Sequence, residues 1–324
     1  MVVLNELEMK NKLKYFPITS YAIIMGLAGL TIVFSKFYHM QWMPKSFYNI
    51  LLFFTFALFL TISFIYGLKT VRHFDEVKAD FNHRIRINFF SAISISILLL
   101  SIAFMAYWPF LSLPLWWIGT ILHTVLMFYT ISYWIRNNFE IQFMNPAWFI
   151  PVVGNILIPI AGVEYMSKAF SFFYFGVGFF FWIILFTIFL NRAIFHNQLP
   201  QKFIPTLFIL IAPPAIGFIA YIRIAQSWDG FAMFMLFIAY FFVVLLLFLY
   251  KSFKNLQFFI SWWAFTFPLM AITIASVVAY QISSQSIFKY LSFILITIAI
   301  FTVGFVSWKT IGKMKQGEIC VSED

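Results

Sequence analysis

The chain has 324 residues, of which 63% are hydrophobic and 10% charged, with a formal charge of +10. Soluble globular proteins carry roughly a quarter charged residues, so a water-soluble fold is excluded. The cations lie singly or in pairs at the ends of apolar stretches, which argues against a nucleic-acid binder, and the single Cys320 excludes an intrachain disulfide and a thiolate metal cluster.

In chain order, a polar start at 1–15 carries Lys10, Lys12 and Lys14 and has no small-residue cleavage site, which predicts an uncleaved first helix. Nearly uncharged stretches follow at 17–35, 46–68, 88–107, 113–135, 147–163, 168–190, 203–223, 229–250, 258–281 and 287–308. Each approaches the ~20 residues that cross a hydrocarbon core of ~30 Å, and none alternates with period two. Ten transmembrane helices are therefore expected, in an all-α membrane protein that forms one transmembrane domain over 1–324. Links from odd spans to the next even ones are short, so the order reads as five helical hairpins. The polar segment 69–88, with Asp75, Glu76 and Asp80 among its cations, is too short to fold alone. All Lys and Arg except Lys36, Lys45, Lys168, Arg223 and Lys289 fall near the two ends or after even spans. That bias predicts cytoplasmic termini.

Proline is segregated. Pro17 opens span one, Pro151 and Pro159 lie in span five, Pro205, Pro213 and Pro214 in span seven, and Pro268 in span nine, with none expected inside even spans. Proline removes a helical hydrogen bond, and the freed carbonyl needs a neighbour or water, so odd spans are candidates to line a central path. The alternative is that membrane helices are simply richer in proline. No Asp or Glu falls mid-span, which argues against coupling through a buried carboxylate and favours passive permeation. His123, in Trp116-Trp117-Ile118-Gly119-Thr120-Ile121-Leu122-His123, is either pH-sensitive or a hydrogen-bonding residue between helices. No metal-ligand spacing, phosphate loop or catalytic constellation is present, so neither cofactor nor enzyme activity is expected. In Ser261-Trp262-Trp263-Ala264-Phe265-Thr266-Phe267-Pro268, Pro268 should free the Ala264 carbonyl and re-aim Phe267. That ring is either a hydrophobic plug or one of 47 packing phenylalanines.

These segments resemble the tellurite-resistance/dicarboxylate transporter family, which includes plant slow-type anion channels and bacterial tellurite-resistance homologues. The landmarks are Phe16-Pro17-Ile18 with Gly26-Leu27; Phe74, Val77-Lys78, Phe81, His83, Arg86 and Asn88-Phe89-Phe90; Val152-Val153-Gly154-Asn155; Leu199-Pro200, Pro205, Leu207-Phe208 and Ala212-Pro213; and Trp262 to Pro268. The resemblance implies quasi-symmetric hairpins, inner odd helices around a pore in each subunit, and a homotrimer. It also implies that Phe267, in Trp-Trp-Ala-x-x-Phe-Pro, occludes the pore. Pro17, Gly26, Gly154, Asn155, Pro213, Thr266 and Pro268 are the pore-shaping candidates. Two departures stand out: His83-Arg84 replaces the relatives' His-Pro, and long regulatory tails are missing. The expected function is passive conduction of small inorganic or organic anions in the plasma (bacterial inner) membrane, in contact with lipid. Alternatives are a C4-dicarboxylate (malate) transporter, a sulfite- or tellurite-type oxyanion exporter, or a membrane enzyme or complex subunit that does not transport.

Overall fold

A computed structural model describes residues 12–321, so Lys10 lies outside the described part. Among the described residues there is no strand, and nine helical segments are long and apolar enough to cross a membrane. They are Ile18–His39, Lys45–Arg72, Arg86–Phe104, Pro109–Arg136, Lys168–Phe195, Gln201–Ala225, Gly230–Phe248, Ile260–Ser283 and Ser286–Lys315. The protein is a multi-pass, all-α membrane protein. The expected fifth span is the shorter Pro146–Gly162, which is broken into four pieces: a 3-10 turn, Phe149–Val153, a 3-10 segment Gly154–Leu157, and Ile158–Gly162. Its 17 residues would reach roughly 26 Å as an α-helix, against a hydrocarbon core of ~30 Å. Spans are numbered below in this order, with Pro146–Gly162 as the fifth.

Burial divides the spans into two classes. In the long odd spans 72% to 89% of the apolar stretch is buried, and in the even spans 28% to 33%. Packing explains the division. Span one lies against spans three and nine, span three against five, five against seven and seven against nine, which closes a ring of five inner segments. Each even span packs outside its preceding odd one and turns large apolar side chains outward, among them Phe64, Phe128, Phe180, Phe237 and Phe301. Such a surface suits lipid tails, which demand only apolarity.

Every inner segment also begins in a tighter winding. 3-10 helix covers Ile18–Ser20, Arg86–Phe90, Pro146–Trp148, Gln201–Ile211 and Ile260–Phe265, and α-helix follows in each. Pro205 removes a donor inside the long 3-10 run, whereas Pro213 and Pro214 sit in the first α turn, where N–H groups have no partner in the helix. Span three winds the same way without any proline. One expectation needs correcting: span four starts at Pro109, earlier than expected, so Pro114 lies inside an even helix.

The segment between spans two and three forms the helix Phe74–Phe81. It delivers Asp80 to the buried Lys69 ammonium at 2.9 Å and to Arg86 at 2.5 Å, while Lys69 also donates to the Phe16 carbonyl at 2.9 Å. The loop at His83-Arg84 is set by His83 itself, whose Nδ1 accepts the backbone N–H groups of Ile85 and Arg86 at 3.1 and 3.2 Å.

Candidate functional site: an apolar cavity inside the ring

The inner segments line a partly open apolar cavity, and all five contribute to its wall. Ala22 and Met25 come from span one, Phe89, Ala92 and Ile95 from span three, and Val153, Gly154 and Leu157 from span five. Span seven gives Ile209, Pro213 and Ile216, and span nine gives Trp263, Ala264, Phe267 and Pro268. These residues cluster where 3-10 helix passes into α-helix. No lining residue carries an ionisable side chain.

The segment before Phe267 is pinned by its own polar atoms. Ser261 Oγ donates to the Lys202 carbonyl at 2.6 Å, Trp262 Nε1 to the Gln257 carbonyl at 3.0 Å, and Trp263 Nε1 to Thr310 Oγ1 at 3.0 Å. Thr266 Oγ1 donates back to the Trp263 carbonyl at 2.7 Å, and Phe265 meets Phe208 edge to face at 4.8 Å. The α-helix Thr266–Ser283 starts there, with Pro268 in its first turn. The expected break is therefore a change of winding ahead of Pro268 rather than a kink in a continuous helix. Phe267 is 8% exposed, lies on the cavity wall and joins no aromatic pair among the described residues.

Glycines allow span one to approach. A Cβ on Gly26 would lie 2.1 Å from Thr266 Oγ1 and 3.2 Å from the Trp263 ring. A Cβ on Gly29 would lie 2.9 Å from the Met270 Cβ and 3.3 Å from the Phe267 ring. A side chain at either position would push span nine away, so both glycines set the distance between the spans that carry Phe267 and its support.

On the opposite wall, a Cβ on Gly154 would lie 2.7 Å from His123 Cε1 and 2.8 Å from its Nε2. His123 is fully buried in span four and reaches the rear of the wall through this gap. Its Nδ1 is 2.8 Å from Ser94 Oγ, whose proton is committed to the Ser91 carbonyl at 2.9 Å. The imidazole Nε2 has no hydrogen-bond partner among the described residues. Asn155 is buried beside it, donating to the Val152 carbonyl at 2.7 Å and contacting Met127 Sδ at 3.0 Å.

Gly154, Pro213, Phe267 and Pro268 thus line the cavity, and Gly26 and Thr266 form the joint behind Phe267. Asn155 and His123 stand behind the wall. Pro17 lines a separate polar pocket with Lys14, Lys69, Asp80 and Arg86. The sequence reading did not name Met25 or Gly29, and named Phe89 only as part of a family motif.

The family model of the voltage-dependent anion channel, SLAC1, matches residues 15–311. The S-type anion channel SLAH2 of Arabidopsis thaliana is 28% identical across 81% of this chain, and the chain spans 52% of that relative's length. The uncharacterized transporter MJ0762 of Methanocaldococcus jannaschii is 27% identical, covering 96% of this chain and 98% of its own. The tellurite resistance protein TehA homolog of Haemophilus influenzae is 24% identical across 97% of this chain and 96% of its own. A match that runs through all five inner segments and the Phe267 segment places the chain in the voltage-dependent anion channel (SLAC1) family.

Proposed function

We propose that this chain acts as one transmembrane domain that conducts small anions passively through the cavity inside its ring, with Phe267 as the plug, and that it performs no catalysis. The observation that carries this reading is the closed ring of five inner segments around an apolar cavity with the Phe267 ring in its wall. An aromatic ring in a narrow apolar path blocks ions by bulk and by dewetting. The ring is held on one side by Gly29 and has no aromatic partner among the described residues to lock it, so a change of rotamer frees the path. Pro17, Gly26, Gly154, Asn155, Pro213, Thr266 and Pro268 shape the path by fixing windings and distances. His123 serves as a hydrogen-bonding strut behind the wall. We further propose cytoplasmic termini in a plasma membrane, from the charge bias, and three associated subunits, from the family resemblance.

A wall without fixed charge favours anions that shed water easily, so nitrate should pass faster than chloride. The test is anion efflux from liposomes that carry purified protein, wild type beside Phe267→Ala. The variant should raise nitrate and chloride flux at least about tenfold, the change that removal of roughly 1.4 kcal/mol of barrier produces. Unchanged flux in a correctly folded variant would remove Phe267 from the role. The full-length likeness to the tellurite resistance homolog and to the transporter supports a second reading, export or exchange of oxyanions or C4-dicarboxylates. Saturable uptake of malate or tellurite by wild type, lost in Phe267→Ala, would favour it.

A further inference from the structure

We infer that Lys36, flanked by Arg223, forms an anion-capture site at the end of the path away from the N-terminus. This rests on the conduction reading above. Span one is a continuous α-helix over Tyr21–His39. At 100° per residue, Lys36 falls about 20° from Met25, which lines the cavity, and about 20° from Gly29, which faces the Phe267 ring. It stands on the same stripe, about 10 Å beyond Gly29. Span seven repeats the arrangement. Arg223 lies seven residues after the cavity-lining Ile216, within the α-helix Ala212–Ala225, on the same face and at the same end. Two inner spans, separated in the ring by span nine, thus carry their cations in line with the path.

The two cations differ in how they are compensated. Arg223 Nε donates to the Ile160 carbonyl at 3.0 Å, and its NH2 group meets Glu164 at 2.7 Å. The other acidic group at this end, Asp229, accepts the Tyr221 hydroxyl at 2.7 Å and the N–H groups of Phe231 and Ala232 at 3.0 Å. Those bonds, from Ala232 first and Tyr221 next, hold its carboxyl below the ordinary carboxylate range. Lys36 has no ion pair among the described residues, although it is half-buried. At the opposite end Lys69 and Arg86 share Asp80 and Lys14 holds Glu76, whereas the buried Arg192 at the end of span six has no ion pair among the described residues. A half-buried ammonium left without a counter-ion at the mouth of an apolar path attracts an anion to complete it. Its ligand class is a small monovalent anion such as chloride or nitrate, held before it enters the uncharged cavity.

The test uses the full chain in liposomes with Phe267→Ala as the conducting background, adding Lys36→Gln, Lys36→Arg or Glu164→Gln. Chloride and nitrate flux is read at low ionic strength and near 1 M, where the screening length falls to about 3 Å. Lys36→Gln should cut flux about 3- to 10-fold at low salt and less than about 2-fold at high salt, with Lys36→Arg retaining the flux. Glu164→Gln, which frees the Arg223 charge, should raise low-salt flux about 2-fold and tests the same field without touching Lys36. Low-salt flux unaltered by both Lys36→Gln and Glu164→Gln in a conducting background overturns the capture site alone. A Lys36→Gln loss of equal size at both salts also overturns it, by assigning the lysine a packing role. Absence of any anion flux in the Phe267→Ala background brings down the conduction reading and this inference with it.

Discussion

Gly26 and Thr266 meet at the tightest joint around the candidate plug, since a methyl group at Gly26 has 2.1 Å to the threonine hydroxyl. Thr266 is fully buried and tied to the Trp263 carbonyl, so it cannot swing aside without loss of that bond. Gly26→Ala should therefore destabilise the protein by roughly 1–3 kcal/mol through overpacking, measured as a lowered thermal midpoint in detergent. A wild-type midpoint would mean that span nine yields freely. Gly154 follows the same logic toward His123, with the added effect that a methyl group there would sit against the unpartnered Nε2. These two glycines stand in motifs visible in the sequence, but nothing in the sequence says what each one faces.

The helix Phe74–Phe81 illustrates a connection between spans that supports the inner ring. Asp80 on it joins the end of span two, through Lys69, to the start of span three, through Arg86, and Lys69 reaches back to Phe16 ahead of span one. Asp80→Asn leaves the buried Lys69 ammonium without its anion and should cost roughly 3–5 kcal/mol, read from chemical or thermal unfolding in detergent. A change below about 1 kcal/mol would show that water already compensates Lys69. Nine long apolar helices were legible from hydropathy, with ends displaced by up to seven residues at Ser286–Lys315, because a lipid environment imposes length and apolarity so strictly. The windings were not. Proline marked span seven and span nine as irregular, yet Arg86–Phe90 winds as 3-10 without proline, and Pro114 sits in a regular outer helix. Among the cavity-lining residues, Phe267, Gly154 and Pro213 were legible because they sit in distinctive motifs. Met25 and Gly29 were not, because apolar residues surround them on every side of span one from Ala22 as far as Leu30, and the polar side chains that would mark a face follow only from Thr31 onward.

At the scale of the whole molecule, no carboxylate or other ionisable side chain among the described residues contributes to the cavity wall, which is the basis for the passive conduction proposed above. Chloride flux through Phe267→Ala liposomes should thus run down its own gradient and remain within about 2-fold when an inward proton gradient is imposed. Accumulation of anion against its gradient, driven by protons, would exclude a simple conduit. The contrast in burial between inner and outer spans bears on how the sequence can drift. An outer face must only stay greasy, so Phe, Leu and Ile are interchangeable there, as at Phe128 or Phe301. An inner face must keep volumes to within a methyl group, as at Gly26, Gly29 and Gly154. The 47 phenylalanines therefore belong to two populations that look alike in composition. A saturation mutagenesis map would separate them, alternating tolerant and intolerant helices along the chain and marking the lining of the path without any ligand.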